Sequence, residues 1–356
     1  MKRLLLILAI LAPLGILSLK AQNEASSLTL TGKLYPDTPN PYNRLDTVRF
    51  KGFTELENLQ VREPSGIAVA FRTDSDFIRI KAEYGTIQNS MSTNGISSKG
   101  FDLYIKRDGK WIFAAAGTKS AGHENEEFTL IKGMDRSMHE CLMYLPLFSE
   151  LYSVKLIVRE GAVLEASPNP FRHRVAIFGS SHTHGSSTSR SGMTYPAQFS
   201  RNTGIQLLSL GCSGNSKLQS YFAEALACAD VDAFIFDAFS NPSAEQMKER
   251  LFPFIERIQA SHPGKPLIFQ RTIWCEGRNF NVEADKHEAR RGAVADSLMQ
   301  IACKKYKDVY YIYPNATSPD HLTSVDGIHP TNYGYTLWAK SIEKKVLRIL
   351  RKYGIK

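Results

Sequence analysis

The sequence predicts two domains: an antiparallel β-sandwich of jelly-roll-like character over residues 22–167, then a three-layer α/β/α domain over residues 171–356 whose sheet has five parallel strands. Three observations predict this. Before residue 167, apolar residues alternate in short runs parted by turn residues, with no long amphipathic helix between them. After residue 171, short apolar runs alternate with helical patterns in the βα manner, which builds parallel sheets. Between the two, Pro168-Asn169-Pro170 reads as a stiff linker, because each proline fixes its own φ and restricts its neighbour.

The chain opens as a signal peptide over residues 1–21. Met1-Lys2-Arg3 supplies the charged start and the apolar run from Leu4 to Ser18 the hydrophobic core, too short and wrongly flanked for a membrane span. Cleavage after Ala21 is expected, so the mature protein should be exported, periplasmic or secreted, with no stable membrane span. No cysteine lies near the cleavage site, which argues against a lipid anchor. Removal of Lys2, Arg3 and Lys20 lowers the formal net charge of +9 to +6, modest for 356 residues. Lys340, Lys344, Lys345, Arg348, Arg351 and Lys352 read as the wet face of a helix, so nucleic acid is not expected as a partner. Five cysteines, odd in number and sparse, imply no disulfide framework.

In the first domain Ile67, Val69 and Phe71 alternate, Asp74-Ser75-Asp76 turns the chain, and Ile78, Ile80, Ala82 and Tyr84 alternate again, which predicts a hairpin with one buried face. A second hairpin should turn at Asp108-Gly109, between Leu103-Tyr104-Ile105 and Trp111-Ile112-Phe113. Runs at Phe128 to Ile131 and Val154 to Val158 add strands.

In the second domain Val175 to Phe178 predicts a buried strand that Gly179 ends. Pro196 suits a first helical turn and Gly204 a helix stop. Strands follow at Gln206 to Leu210, Ala233 to Phe236, Leu267 to Phe269 and Val309 to Ile312. Helices fall at Lys217 to Ala229, after a Ser243/Gln246 capping box with a kink expected at Pro253, within Asp285 to Lys305, and at the end with Trp338, Ile342, Val346 and Ile349 on one face.

The chemistry-bearing residues follow these strands. Gly179-Ser180-Ser181 ends the first, at the carboxyl edge where parallel sheets bind ligands. Gly211-Cys212-Ser213-Gly214-Asn215 follows the second, and Ser240-Asn241 the third. Asp326-Gly327-Ile328-His329 sets a carboxylate beside an imidazole just before the last helix, as a general base and its orienting partner require. Serine, glycine, asparagine and histidine thus appear in turn, and here the chain resembles the SGNH (GDSL-like) hydrolases, named for those residues.

That resemblance covers Val175 to about Lys340. It implies Ser181 as nucleophile, Ser180 in place of the usual aspartate, Asp326 and His329 as the rest of the triad, and an oxyanion hole from Ser181, Gly214 and Asn241. Two departures stand out: Gly-Ser-Ser for Gly-Asp-Ser, and Phe-Ser-Asn-Pro for Gly-x-Asn-Asp. Lys99 to Tyr104 is similar to the Gly-x-Asp-Leu-Tyr motif of a β domain preceding certain bacterial SGNH esterases. Asp102 is expected to orient loops at the domain boundary and Tyr104 to be structural.

The implied function is a serine esterase cleaving short acyl groups, acetyl above all, from carbohydrates, with no cofactor. Polar residues near the nucleophile, His182, His184 and Arg190 among them, are expected to contact substrate, and the loop Gln88 to Lys99 to wall one side of the cleft. Two rivals remain: a zinc hydrolase using His182 and His184 with Asp326 or His329, and a non-catalytic carbohydrate-binding protein on an esterase scaffold.

Overall fold

The structure, a computed structural model, describes residues 21–356. The expected leader lies outside them except for Ala21, which opens the first strand. Among the described residues, no helix is long and apolar enough to cross a membrane.

Two sheets form the sandwich. One has the order β1-β9-β4-β7 and comprises β1 (Ala21–Glu24), β4 (Phe77–Ile87), β7 (Phe128–Lys132) and β9 (Ser149–Val158). The other has the order β10-β3-β8-β5-β6, from β3 (Ala68–Thr73), β5 (Phe101–Arg107), β6 (Lys110–Gly117), β8 (His139–Tyr144) and β10 (Leu164–Ala166), with β2 (Thr29–Thr31) also on β3. Every pairing in both sheets is antiparallel. Asp108-Gly109 forms the expected tight turn, both residues at positive φ (51° and 75°), as the twist of a two-residue hairpin requires.

The other expected hairpin is absent, because β3 and β4 belong to different sheets. Asp74-Ser75-Asp76 is a corner between sheets. Its anchors lie outside any ladder: Ser75 Oγ accepts from Arg159 N at 2.9 Å and Asp74 Oδ1 from Val163 N at 2.8 Å. Both alternating sets still point inward, since Ile67, Val69 and Phe71 meet Ile78, Ile80 and Ala82 in one core. Alternation fixed which face was buried but not which strand lay alongside.

The second domain has the five-stranded parallel sheet β12-β11-β13-β14-β15, from β11 (Arg172–Gly179), β12 (Ile205–Gly211), β13 (Ala233–Asp237), β14 (Leu267–Gln270) and β15 (Val309–Ile312). One side carries α5 (Ser220–Ala227), α6 (Ala244–Ser261) and α7 (Val282–Lys305), the other α4 (Tyr195–Thr203) and α8 (Asn332–Arg351). The Ser243/Gln246 capping box is formed, and α6 runs on through Pro253. Trp338 is fully buried on α8, stacked on Tyr195 with centroids 4.3 Å apart and donating to Gln270 Oε1 at 2.8 Å.

The outer face of the six-stranded sheet packs on the second domain through Ala68, Ala70, Leu142 and Tyr144 against Phe171 and Ala197. Residues 32–63 depart from the expected β pattern altogether. Leu34, Tyr35, Leu45, Phe50 and Val61 join the core of the α/β domain, beside Phe178, Leu208 and Phe222. This segment holds α1 (Glu55–Arg62), opened by a Thr54/Glu57 capping box. That Thr-x-x-Glu was the signal in the sequence that could have located it.

Behind α1 sits a buried charged cluster. Arg44 Nε donates to Glu63 O at 2.7 Å and Nη2 to Gln60 O, which caps the helix's negative end. Glu63 is fully buried, and burial pushes its carboxyl up to about 8, although Arg44 and Gln88 pull it down. A carboxyl whose pKa is raised on folding stabilises the fold below the unfolded value of 4.5, and that contribution is lost as pH rises towards about 8. Urea unfolding at pH 5 and pH 8 should therefore show the native chain losing more stability than Glu63→Gln, by on the order of a few kcal/mol. Equal losses in both proteins would contradict this.

Candidate active site

The carboxyl edge of the parallel sheet gathers the motif loops. Gly179 lies in register with Gly211 on one side and Asp237 on the other. Beyond it Ser180 caps a four-residue helical turn, α3 (Ser181–His184), which Gly185 ends in the left-handed region at φ 109°. The turn rests directly on the sheet. A Cβ on Gly179 would lie 2.1 Å from Thr183 Oγ1, and one on Gly211 would lie 2.2 Å from His184 N.

The two adjacent serines are distinguished by their partners. Ser180 Oγ donates to Asp237 Oδ2 at 2.6 Å, and its N–H reaches the same oxygen at 3.1 Å, so its hydroxyl is committed to the protein. Ser181 Oγ donates to His329 Nε2 at 2.9 Å. His329 Nδ1 donates in turn to Asp326 Oδ2 at 2.7 Å. Asp326 Oδ1 accepts the N–H groups of Ile328 (3.0 Å) and His329 (2.7 Å), with Gly327 between them at φ 86°. Burial alone would raise the Asp326 pKa, but these N–H groups and the His329 ring together hold it below the ordinary carboxylate value. The loop is braced further by Gly277 N donating to Gly327 O at 2.7 Å.

Asn241 faces the same cavity as Ser181 and Gly214, a space of about 640 Å³. Its Oδ1 accepts from Ser216 N (3.3 Å) and Ser216 Oγ (3.2 Å), which leaves the amide N–H₂ as the group available to a ligand. Gly214 is at φ 74°, a conformation that favours glycine. A hydroxyl activated by an imidazole, beside an amide donor and a glycine N–H, is the equipment of acyl transfer.

Other expectations are redistributed. His182 lines the cavity, with Nε2 donating to Ile328 O at 3.2 Å and Nδ1 3.1 Å from Ser180 Oγ, and burial lowers its pKa. His184 does not reach the cavity. It is fully buried and stacked on Phe148 at 4.2 Å, its Nε2 donates to Leu147 O at 2.7 Å, and burial holds its pKa well below the ordinary value. The helical turn is the reason, since about 100° of rotation per residue separates side chains that an extended His-x-His would align.

Arg190 is also elsewhere, at the domain boundary. Its Nη1 donates to Asp102 Oδ1 and Oδ2 at 2.8 and 2.9 Å and to Tyr104 Oη at 2.6 Å, and its guanidinium lies over Phe113. Asp102 is fully buried and accepts Gly192 N at 2.8 Å, so it does orient the loop after Ser181. The segment 88–99, which ends in the short helix α2 (Gly95–Lys99), contributes nothing to the cavity in front of Ser181. It packs through Asn94 on Ser189 O at 3.1 Å, beyond the His329 loop. Cys212 is buried with its thiol pushed up to about 12 by burial, as a structural residue would be.

The far wall of the cavity was not legible in the sequence. Thr272, Arg278, His287, Glu288 and Arg291 supply it, from the segment after β14 and from α7. Arg291 Nη2 is held by the carbonyls of Phe239 (2.8 Å) and Ser240 (2.5 Å), which buttresses the loop carrying Asn241. No short motif announces a cavity wall on a helix.

Residues 172–348 match the model of the GDSL-like lipase/acylhydrolase family, and residues 19–164 match that of the GxDLY N-terminus of SGNH hydrolase-type esterases. A crystal structure described as a GDSL-like lipase from Bacteroides ovatus is 34% identical, with TM-score 0.89, covering 93% of this chain and 98% of that one. The salicylyl-acyltransferase SsfX3 of a tetracycline biosynthetic pathway shares the fold at 18% identity and TM-score 0.70, with the same coverage. A family two carbohydrate esterase from Cellvibrio japonicus does so at 10% identity and TM-score 0.59, over 93% of this chain and 98% of its own. No curated protein matches the chain in sequence.

Because Asp326 both accepts the hydrogen bond of the His329 ring N–H and ties down the loop, Asp326→Asn should keep the loop but turn an N–H₂ towards a donor. Turnover of p-nitrophenyl acetate is expected to fall by roughly 10³- to 10⁴-fold, as when a triad base is held in the wrong tautomer. A loss below tenfold would show that His329 needs no such partner.

Proposed function

The chain belongs to the GDSL-like lipase/acylhydrolase family, and from that membership and the Ser181–His329–Asp326 relay we propose a serine esterase that removes short acyl groups, most readily acetyl, from carbohydrates. The relay is the observation that carries the reading. His329 Nε2 takes the Ser181 Oγ proton as the oxygen attacks the ester carbonyl, and Asp326 stabilises the imidazolium that forms. The carbonyl oxygen, now negative, is met by the N–H groups of Ser181 and Gly214 and by Asn241 Nδ2. The tetrahedral centre collapses as His329 passes its proton to the leaving alcohol. Water, deprotonated by the same imidazole, then opens the acyl-enzyme and releases the carboxylic acid.

The cavity's lining supports a small acyl group on a polar carrier. Asn241, Thr272 and His287 offer hydrogen bonds, whereas Ala284 and Ile328 are the aliphatic side chains there. A long acyl chain would need a continuous apolar surface to repay its burial. That a family two carbohydrate esterase shares this fold supports a carbohydrate ester as the substrate. The leader read in the sequence fits an exported enzyme that meets polysaccharides in the periplasm or outside the cell.

The zinc reading has no support in the geometry, since the Nε2 atoms of His182 and His184 donate to different carbonyls, those of Ile328 and Leu147. Among the described residues no cluster of three or more histidine, cysteine, aspartate or glutamate side chains could hold a metal.

Ser181→Ala is expected to lower p-nitrophenyl acetate hydrolysis by at least roughly 10⁴-fold while leaving the fold intact. Ser180→Ala should retain activity; if Ser180→Ala is the dead variant and Ser181→Ala turns over normally, the nucleophile is misassigned. On substrate, the acetate ester should be preferred to the octanoate, with acetate released from acetylated xylan or pectin. Preference for octanoate, with no acetate from either glycan, would point instead to a lipid or thioester.

A further inference from the structure

We propose that Gln60, on α1, is a positioning residue for the oxyanion hole: it aims the Gly214 N–H into the catalytic cavity by holding the peptide group to which that N–H belongs. The inference rests on the serine-esterase reading above.

The Ser213 carbonyl and the Gly214 N–H are opposite ends of one planar, trans peptide unit, so they point in opposite directions. Gln60 Nε2 donates to Ser213 O at 2.8 Å. Gly214 lines the cavity and Gln60 does not, so the side chain grips the end of the unit that faces away from the substrate. Gln60 is itself 2% exposed, on a capped helix whose end is held by Arg44.

That peptide unit is one that can turn over. Asn215 N donates to Cys212 O at 3.0 Å, which makes Ser213 and Gly214 the centre of a four-residue turn. Gly214 has φ 74° and Ser213 is not at positive φ, the signature of a type II turn. Types I and II differ chiefly by a flip of the central peptide, and glycine at the third position tolerates either. A flip would withdraw the Gly214 N–H from the cavity and present a carbonyl there instead.

Two more contacts favour the observed state. Gln60 Oε1 accepts from Asn215 Nδ2 at 3.0 Å, and that same Nδ2 donates to Ser213 O at 3.1 Å, which closes a ring of amides around the turn. On the preceding peptide, Ser213 N donates to His184 Nδ1 at 3.4 Å. His184 must be neutral, with its proton on Nε2, to accept it, and the bond from Nε2 to Leu147 O fixes that tautomer. The N-terminal segment thus reaches the reaction without touching substrate.

Gln60→Glu keeps the shape and the acceptor for Asn215 but sets a carboxylate oxygen against Ser213 O; Gln60→Met keeps the bulk and removes both bonds. In each, kcat for p-nitrophenyl acetate is expected to fall roughly 10- to 100-fold, less than the 10²- to 10³-fold of deleting a donor outright. KM should stay within about twofold, because the ground-state ester makes little use of the oxyanion site. Affinity for phenylboronic acid, whose tetrahedral adduct on Ser181 places an oxygen in that site, should fall by the same factor as kcat. A purely structural role would lower the folded fraction and leave both quantities unchanged per folded molecule.

A folded variant with kcat within twofold of the unsubstituted protein, or with boronate affinity unchanged, overturns the proposal. Should neither Gln60 variant fold, Asn215→Ala carries the test by the same paired readout, since it removes the partner of Gln60 Oε1 from a half-exposed loop. Ser181→Ala assayed alongside separates the two ideas. If it stays active the esterase reading fails; if it is dead while the Gln60 variants are normal, only the positioning role fails.

Discussion

The buried carboxylate of Asp237, at the end of the central strand β13, is the fixture on which the rest of the site depends. Its Oδ2 gathers the N–H and hydroxyl of Ser180 and the hydroxyl of Thr183, and its Oδ1 takes the hydroxyl of Ser240. A carboxylate that is 1% exposed tolerates burial only when such donors replace its water. Those donors lie on the two loops that matter, one carrying Ser181 and the other Asn241. The arrangement also tells the two serines apart: the carboxylate arrives from the neighbouring strand and grips Ser180, which leaves the Ser181 hydroxyl to His329.

A second constraint is that the α/β domain is incomplete without the amino-terminal part of the chain. The sandwich keeps its own core, but residues 32–63, between its strands β2 and β3, finish the core of the α/β domain and reach the turn that holds Gly214. At the opposite side Asp102, Arg190, Arg201 and Tyr104 form a second junction, with the Arg201 guanidinium 4.1 Å from the Tyr104 ring. A buried ion pair of this kind is costly to break, because the partner left behind keeps its desolvation penalty. The loop after Ser181 is therefore framed by the β domain without that domain lining the cavity in front of Ser181.

What the sequence disclosed follows from the range of the interactions involved. The five parallel strands, the cap of α6 and the loop from Asp326 to His329 rest on contacts a few residues apart, and patterns at that range are visible in one dimension. The positions of Ser181, Gly214 and Asn241 on strand-ending loops were legible for the same reason. His184 and Arg190 were misplaced because nearness to a nucleophile in the chain was taken for nearness in space, and a single helical turn is enough to part the two. The β3 to β4 corner failed similarly, since a short turn reads the same whether it joins neighbours or spans a sandwich. Gln60 and the α7 wall carry no local signature, being defined only by partners about 150 residues away or by a helix face.

The burial of residues 32–63 against the α/β core bears on how the chain can be made. Synthesis delivers the amino-terminal part first, and domains tend to fold as they emerge. Here Leu34, Tyr35, Phe50 and Val61 meet Phe178, Leu208 and Phe222 only after well over a hundred further residues exist. Until then this stretch must leave the ribosome with its greasy side chains uncovered, while the sandwich whose strands flank it is free to close. A nascent chain stalled near residue 167 would be sticky, and the amino-terminal half cannot be excised as a self-contained module. A segment translated early is thus among the last to find its place.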